Sequence, residues 1–192
     1  ATGVPDPVAP DAAEVLRCEH LRMWFPITSG FLRRTTGHVK AVNDANLSVR
    51  AGETLGVVGE SGSGKSTLLS CLAGHLAPDR GEVIFATSEG PRDTVLMAEA
   101  ARRRLARTDW AYVHQNPRDG LRMGISAGGN VGERLMAVGA QHYGQIREAA
   151  VDWLGRVEIA ADRVDDRPSA FSGGMQQRLQ IARNLVTGPR LV

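Results

Sequence analysis

The stretch from Gly59 to Thr67 constrains the fold of this chain more than any other feature. It reads Gly-Glu-Ser-Gly-Ser-Gly-Lys-Ser-Thr, follows the apolar run 55–58 and precedes the apolar segment 68–72. A strand, a glycine loop and a helix in this order form the cradle in which proteins hold the phosphates of a nucleoside triphosphate. The alternative is a glycine-rich turn with an incidental Lys-Ser pair. Chance produces such a pattern in roughly one chain in a hundred of this length, so the sequence favours phosphate binding.

Each residue type in this loop suits that task. Glycines let successive backbone N–H groups turn inward around a polyphosphate, and the helix that follows adds the positive end of its dipole. Lys65 is predicted to place its ammonium between the β- and γ-phosphates, and Ser66 to bind Mg²⁺. The predicted nucleotide contacts in the loop are Gly59, Ser61, Gly62, Ser63, Gly64, Lys65, Ser66 and Thr67.

The composition indicates a compact protein in a reducing compartment. The 192 residues are 42% hydrophobic with a formal charge of +2, enough for one domain or two small lobes and too balanced to indicate nucleic acid. Cys18 and Cys71 are predicted to be buried thiols rather than a disulfide or a metal site. No apolar run approaches the ~20 residues of a membrane span, so the predicted location is cytoplasmic.

Residues 1–13 lack periodicity and are predicted to be a disordered tail. Residues 27–40 are predicted to be an insertion loop, and residues 95–107 a helix. Five segments have strand character: Glu14–Phe25, Ala41–Val49, Leu55–Val58, Glu82–Ala86 and Trp110–His114. The pattern from Gly128 to Val157 turns helical.

A second glycine-led helix start follows Phe171. The hydroxyl of Ser172 can cap the helix, while Gly173 and Gly174 leave the first backbone amides unobstructed, which together make an anion site. Taken alone, Ser-Gly-Gly is more often a plain cap and hinge. Its place on the carboxyl side of a phosphate loop, with Gln115 ending an intervening strand, changes the interpretation.

These three segments occur in the order typical of the ATP-binding-cassette (ABC) family, which the chain resembles over residues 14–192. Gly59–Thr67 resembles the Walker A segment, Gln115 the Q-loop glutamine, and Phe171–Arg178 the signature segment. The resemblance implies an α/β fold, the P-loop NTPase nucleotide-binding domain with an inserted helical subdomain. It places a core lobe with antiparallel β elements at 14–115 and 186–192, and the helical subdomain at 116–185.

The resemblance also implies ATP and Mg²⁺ as cofactors. Gln115 would be a catalytic residue and a metal ligand beside Ser66. Ser172, Gly173 and Gly174 would face nucleotide held by another subunit, either in a homodimer or with a related ABC subunit. Phe25 would stack on adenine; the alternative is that Phe25 and its neighbour Trp24 serve core or edge packing.

Beyond the signature helix, members of this family continue to an apolar strand ending in Asp-Glu and to a switch histidine. The present sequence ends at Pro189–Val192. We therefore expect the amino-terminal part of a longer ATPase, truncated before the Walker B strand. The full-length protein is expected to hydrolyse ATP, and residues 1–192 alone to be inactive. A binding module that never hydrolyses ATP stays open as an alternative, whereas a soluble kinase gives Ser172–Gly174 no role.

Two subfamilies share features with the chain. The segments resembling the ATP-binding subunit of the carbon-phosphorus lyase (phosphonate breakdown) system are His114–Pro117, Asp119–Arg122, Ser126–Met136, Gly139–Ala140, His142–Gly144 and Phe171–Val186. The segments Trp24–Pro26, Gly30–Arg34 and Gly37–Val42 are more similar to oligopeptide and dipeptide importers. The first resemblance is favoured and implies the lyase core complex as partner. The second implies membrane permease subunits and a peripheral place at the inner membrane.

Overall fold

The computed structural model describes residues 8–9, 11–29 and 34–192, which form two compact units, Ala1–Arg102 and Arg103–Val192. Most of the predicted disordered tail and residues 30–33 lie outside the described residues. The lobe boundaries predicted from the sequence stay predictions. None of the helices in the described ranges has the length and apolar character needed to cross a membrane.

An antiparallel sheet of four strands forms the first unit: β1 (Glu14–Ser29), β2 (Arg34–Arg50), β3 (Arg80–Thr87) and β4 (Gly90–Asp93), in the order β2-β1-β3-β4. Leu21, Val83 and Phe85 are fully buried. Helix α1 (Lys65–Leu72) follows the glycine loop and buries Cys71. Both cysteines are free and buried, as predicted, and burial raises the pKa of each thiol.

The predicted loop over residues 27–40 is wrong for the residues described there. Residues 27–29 and 34–40 continue β1 and β2, with Phe25 opposite Val39 and Ile27 opposite Gly37. Threonines and Val39 favour extended backbone, and the pairing satisfies N–H and C=O groups that a loop would leave to water. Local composition did not reveal that these residues pair with β1.

The predicted strand at residues 55–58 is also wrong. This segment is irregular and exposed, and Val58 retains 93% of its accessible surface. A strand exists only through hydrogen bonds to a neighbour, and no strand in the described residues pairs with this one. Likewise, the strand predicted at 110–114 reduces to a single parallel bridge between Trp110 and Leu191.

The second unit is helical, apart from this bridge. Helix α2 (Glu99–Thr108) runs across the boundary, and α3 (Pro117–Gly120), α4 (Ala127–Ala137), α5 (Tyr143–Arg156) and α6 (Gly173–Leu185) follow, with 3-10 turns at Ala161–Asp165 and Pro168–Ala170. The predicted helical block is confirmed as α4 and α5, separated at Gly139, whose φ of 101° suits glycine. The buried core comprises Leu121, Ala127, Val131, Ala150, Leu154, Ile159, Val164, Phe171, Leu179 and Ala182.

Arg134 is a buried cation that organises the backbone before Gln115. Its guanidinium donates to the carbonyl oxygens of Ala106, at 2.8 Å, and Trp110, at 3.0 Å. The first bond satisfies a carbonyl in the last turn of α2, where carbonyls lack helical partners, and the second binds the chain just after the helix. Burial lowers the pKa of Arg134, but a guanidinium stays protonated in proteins. Arg134 therefore fixes α2 to the segment that leads to Gln115.

Candidate functional site

The glycine loop folds around the ammonium group of Lys65. Lys65 Nζ donates to the carbonyl oxygens of Gly59, at 2.9 Å, and Glu60, at 2.6 Å, and lies 3.3 Å from Ser63 Oγ. The loop is further closed by the Ser63 N–H, which donates to the Glu60 carbonyl oxygen at 3.2 Å. Gly59, Glu60 and Ser63, which supply these acceptor oxygens, are exposed. Phosphate oxygens can therefore reach the Lys65 ammonium and take the place of these acceptors.

Gly64 is the point where this loop is anchored to the sheet. It caps α1 with a φ of 90°, and a Cβ added here would overlap the carbonyl oxygen of Ala41 on β2. Gly62 also has a positive φ, of 81°, but open space around it. Only glycine satisfies both the conformation and the close backbone approach at position 64. The contact therefore sets where α1 begins.

The start of α1 faces solvent with its positive end uncompensated. No acidic residue lies in its first turn, and Ser66 is exposed. The first N–H groups of a helix have no intrahelical acceptors and, together with the dipole, attract anions. Lys65 and Ser66 are the first two residues of α1. The Lys65 ammonium and the first N–H groups of the helix therefore make this exposed end of α1 positive.

The second helix start, at Ser172, was predicted correctly. Ser172 Oγ accepts a hydrogen bond from the Met175 N–H at 3.3 Å, and Ser172, Gly173 and Gly174 are all exposed. A Cβ added to either glycine would meet no described atom within 4 Å, apart from its chain neighbours and the adjacent backbone of α6. Glycine in a helix costs about 1 kcal/mol relative to alanine. Packing within the described chain gives no reason for that cost, so the pair suits a contact from outside.

Two buried or half-buried side chains hold the segment before this helix. Gln176 Nε2 donates to the carbonyl oxygens of Pro168, at 2.9 Å, and Phe171, at 3.1 Å. The guanidinium of Arg163 lies 4.6 Å from the centroid of the Phe171 ring and donates to the Ala170 carbonyl oxygen at 3.2 Å. The segment 168–171 is therefore fixed, and the exposed start of α6 follows it directly.

Gln115 is exposed and lies at a bend between two fixed neighbours. Before it, the N–H of His114 donates to Gln180 Oε1, and Gln180 Nε2 donates to the His114 carbonyl oxygen at 3.2 Å. After it, Asn116 caps α3 by accepting from the Arg118 N–H at 3.2 Å. The backbone on both sides of Gln115 is thus held, while the Gln115 side chain stays exposed.

The two aromatic residues at the end of β1 have different surroundings. Trp24 is half-buried, with Lys40 Nζ 4.8 Å from its ring centroid and the His38 ring 6.1 Å away. Phe25 keeps 39% of its surface exposed. Phe25 is therefore the ring available for stacking, whereas Trp24 has local packing partners.

The predicted site residues fall into two sets. Gly59–Thr67 lie together in the first unit, whereas Gln115 and Ser172–Gly174 belong to the second. Across the described ranges, no group of three or more His, Cys, Asp or Glu side chains could hold a metal ion. A hydroxyl such as that of Ser66 still fits Mg²⁺, which keeps several waters and takes phosphate oxygens as ligands.

Sequence reasoning missed the buried amides of α6. Gln176, Gln180 and Asn184 are each at most 5% exposed, although Gln and Asn are usually exposed residues. They occur at intervals of four residues and therefore lie on one side of the helix. This spacing was the available signal, because amides repeated every four residues beside an apolar stripe indicate a buried polar face.

Comparison with known proteins gives a consistent result. A family model described as ABC transporter matches residues 42–192. The chain is 58% identical over 153 residues to the phosphonates utilization ATP-binding protein PhnK of Escherichia coli K12, covering 80% of this chain and 59% of that protein. It is 32% identical over 178 residues to the oligopeptide transport ATP-binding protein AppF of Bacillus subtilis 168, covering 93% of this chain and 53% of that protein. The chain thus spans less than two thirds of either relative.

Among solved structures, the fold is similar to that of the ATP-binding cassette MJ0796. The dimeric, post-hydrolysis form of that cassette, bound to ADP and Pi, superposes with a TM-score of 0.78 at 26% identity. The match covers 91% of this chain and 70% of the cassette.

A pair of glycine variants tests the anchoring of the loop. Gly62→Ala introduces only left-handed strain and should lower the free energy of unfolding of the full-length protein by about 1 kcal/mol. Gly64→Ala adds overlap with the Ala41 carbonyl oxygen and should cost clearly more, because backbone must move. Urea denaturation measures both. Equal losses would show that the Ala41 contact does not constrain the loop.

Proposed function

Because this chain belongs to the ABC transporter family, we propose that its glycine loop and α1 hold the phosphates of ATP and that the full-length protein hydrolyses ATP. The observation that carries this proposal is the ammonium of Lys65, held by carbonyls of its own loop at the unobstructed start of a helix. ATP would exchange those carbonyl contacts for charge-assisted bonds to phosphate oxygens. The loop therefore supplies a cradle that needs little rearrangement.

Within this site, the contribution of the chain is binding and positioning. Backbone N–H groups of residues 62–66 would orient the phosphates, and Lys65 would stabilise charge that develops on the γ-phosphoryl group. Ser66 would hold Mg²⁺, which neutralises phosphate charge when bound. Gln115, as a second metal ligand and catalytic residue, and Phe25, as the adenine platform, are part of the same proposal.

The exposed start of α6 would complete the site of a second copy. Ser172, Gly173 and Gly174 face solvent without any packing reason for the glycines in the described chain. An anion approaching from another molecule would meet free backbone amides and no acidic side chain in the first turn. The dimeric form of the similar cassette MJ0796 supports this arrangement. Two copies would then share two nucleotides.

The lysine at position 65 provides the direct test of nucleotide binding and turnover. In the full-length protein, Lys65→Ala should reduce ATP turnover at least tenfold, because it removes a charge-assisted contact to the phosphates. Lys40, the other lysine of the sequence, is the matched control, and Lys40→Ala should stay within twofold of the parent. Phosphate release in the presence of Mg²⁺ measures both. Turnover of Lys65→Ala within twofold of the parent would refute the assignment.

For the biological role, we propose phosphonate utilization. Identity of 58% with PhnK, against 32–36% with ATP-binding proteins of peptide, peptidoglycan and glutathione transport, supports this choice. The full-length ATPase would dock on a carbon-phosphorus lyase complex and use the ATP cycle to remodel it. The second candidate is the ATPase of an oligopeptide or dipeptide importer, which the similarity to AppF over 93% of the chain supports.

Co-purification separates the two roles. The tagged full-length protein, expressed in its own host under phosphonate growth, should retain subunits of a phosphonate-cleaving enzyme complex in the absence of detergent. Mass spectrometry of the retained proteins identifies them, and the same pull-down from detergent-solubilised membranes is the control. Retention of membrane permease subunits, with no lyase subunits, would contradict the phosphonate role and support the importer.

A further inference from the structure

Gln180 binds the backbone of a residue 66 positions earlier in the chain. It is fully buried on α6, and its amide makes both hydrogen bonds that the His114 backbone offers. His114 N–H donates to Oε1, and Nε2 donates to the His114 carbonyl oxygen at 3.2 Å. The Gln180 side chain thus makes the two hydrogen bonds that the backbone of a neighbouring strand would make. It fixes the backbone immediately before Gln115.

Gly120 packs closely against the side-chain amide of Gln180. A Cβ at position 120 would lie 2.5 Å from Oε1 of Gln180 and 2.8 Å from its Cδ. Helix α3, which ends at Gly120, therefore packs directly on the Gln180 side chain. The backbone before Gln115 and the short helix after it are both positioned by this single amide.

The other end of α6 is the helix start at Ser172. From Gly173 to Gln180 the helix rises by about 10 Å, a length over which an α-helix is rigid. Gln176, one turn before Gln180, holds the segment that precedes Ser172. A displacement of the exposed glycines would therefore be transmitted along α6 to the Gln180 amide.

A space-filling role does not account for Gln180. An apolar side chain of similar volume would fill the same position without the cost of burying an amide. The buried amide is tolerated because its oxygen and nitrogen both have partners in the His114 backbone. What Gln180 provides, and a hydrophobic residue would not, is a fixed position for residues 114–115.

We propose that Gln180 is a positioning residue that couples the start of α6 to Gln115. This inference rests on the proposed function, since it gives Gln115 a role in ATP turnover. Gln180 lies in the second unit, whereas the phosphate loop lies in the first. Loss of the Gln180 amide should therefore reduce turnover and leave the affinity for ATP unchanged.

The first measurement is amide hydrogen exchange in the full-length protein. In Gln180→Met, the exchange rate of the His114 N–H should rise about tenfold, because the variant fills the volume but accepts no hydrogen bond. Gln145→Met, at an exposed position of α5, is the matched control and should leave that rate unchanged. An unchanged rate in Gln180→Met would overturn the proposal.

The second measurement separates kcat from ATP affinity. In Gln180→Met, kcat for ATP hydrolysis should fall about tenfold, while the Kd for ATP stays within twofold of the parent. Equal losses in both, or an unchanged kcat despite faster exchange at His114, would overturn the positioning role. If the parent protein itself does not hydrolyse ATP, the proposed function fails, and with it the positioning role in turnover.

Gly120→Ala tests the same contact with Gln180 retained. Its methyl group should displace the amide and reproduce the faster exchange at His114 together with the lower kcat. In a Gln180→Ala background, Gly120→Ala should have no further effect on either quantity, because the side chain it displaces is absent. Additive losses in the double variant would show that the two positions act independently, and would overturn the proposal.

Discussion

The first N–H groups of a helix have no acceptor within the helix, and at the starts of α1 and α6 these groups lie among exposed residues. Helix α1 begins after Gly64, and α6 begins after Ser172; neither has an acidic residue in its first turn. Each end is held by its own unit. Backbone contact with Ala41 fixes Gly64, while Arg163 and Gln176 fix the segment before Ser172. These contacts hold the anion-attracting starts of α1 and α6 in place.

Much of this arrangement could be predicted from the sequence because its causes are local. The glycine loop, the Ser172 cap and the apolar faces of α4 and α5 depend on residues within a few positions of each other. The resemblance to the ABC family, built on the order of three such segments, is confirmed by the family match and by the similar cassette fold. The roles of the individual site residues stay predictions.

The features that sequence reasoning missed depend on partners outside the segment concerned. Residues 34–40 form a strand because β1 lies beside them, and residues 55–58 do not because no described strand pairs with them. The buried amide of Gln180 has a similar origin. Its partner is 66 residues away at His114, so periodicity along α6 could show that the position is buried but could not show which backbone it binds.

The central claim is that the phosphate loop of one copy and the α6 start of another enclose one nucleotide. Cross-linking two single-cysteine variants of the full-length protein tests it most directly, because a mixture of Ser61→Cys and Gly174→Cys can join these positions only between molecules. Each is made in a Cys18→Ser, Cys71→Ser background. The account predicts a disulfide-linked heterodimer that forms with a non-hydrolysable ATP analogue and is absent without nucleotide. No nucleotide-dependent cross-link in the mixture, under conditions where both variants bind the analogue, would contradict the claim.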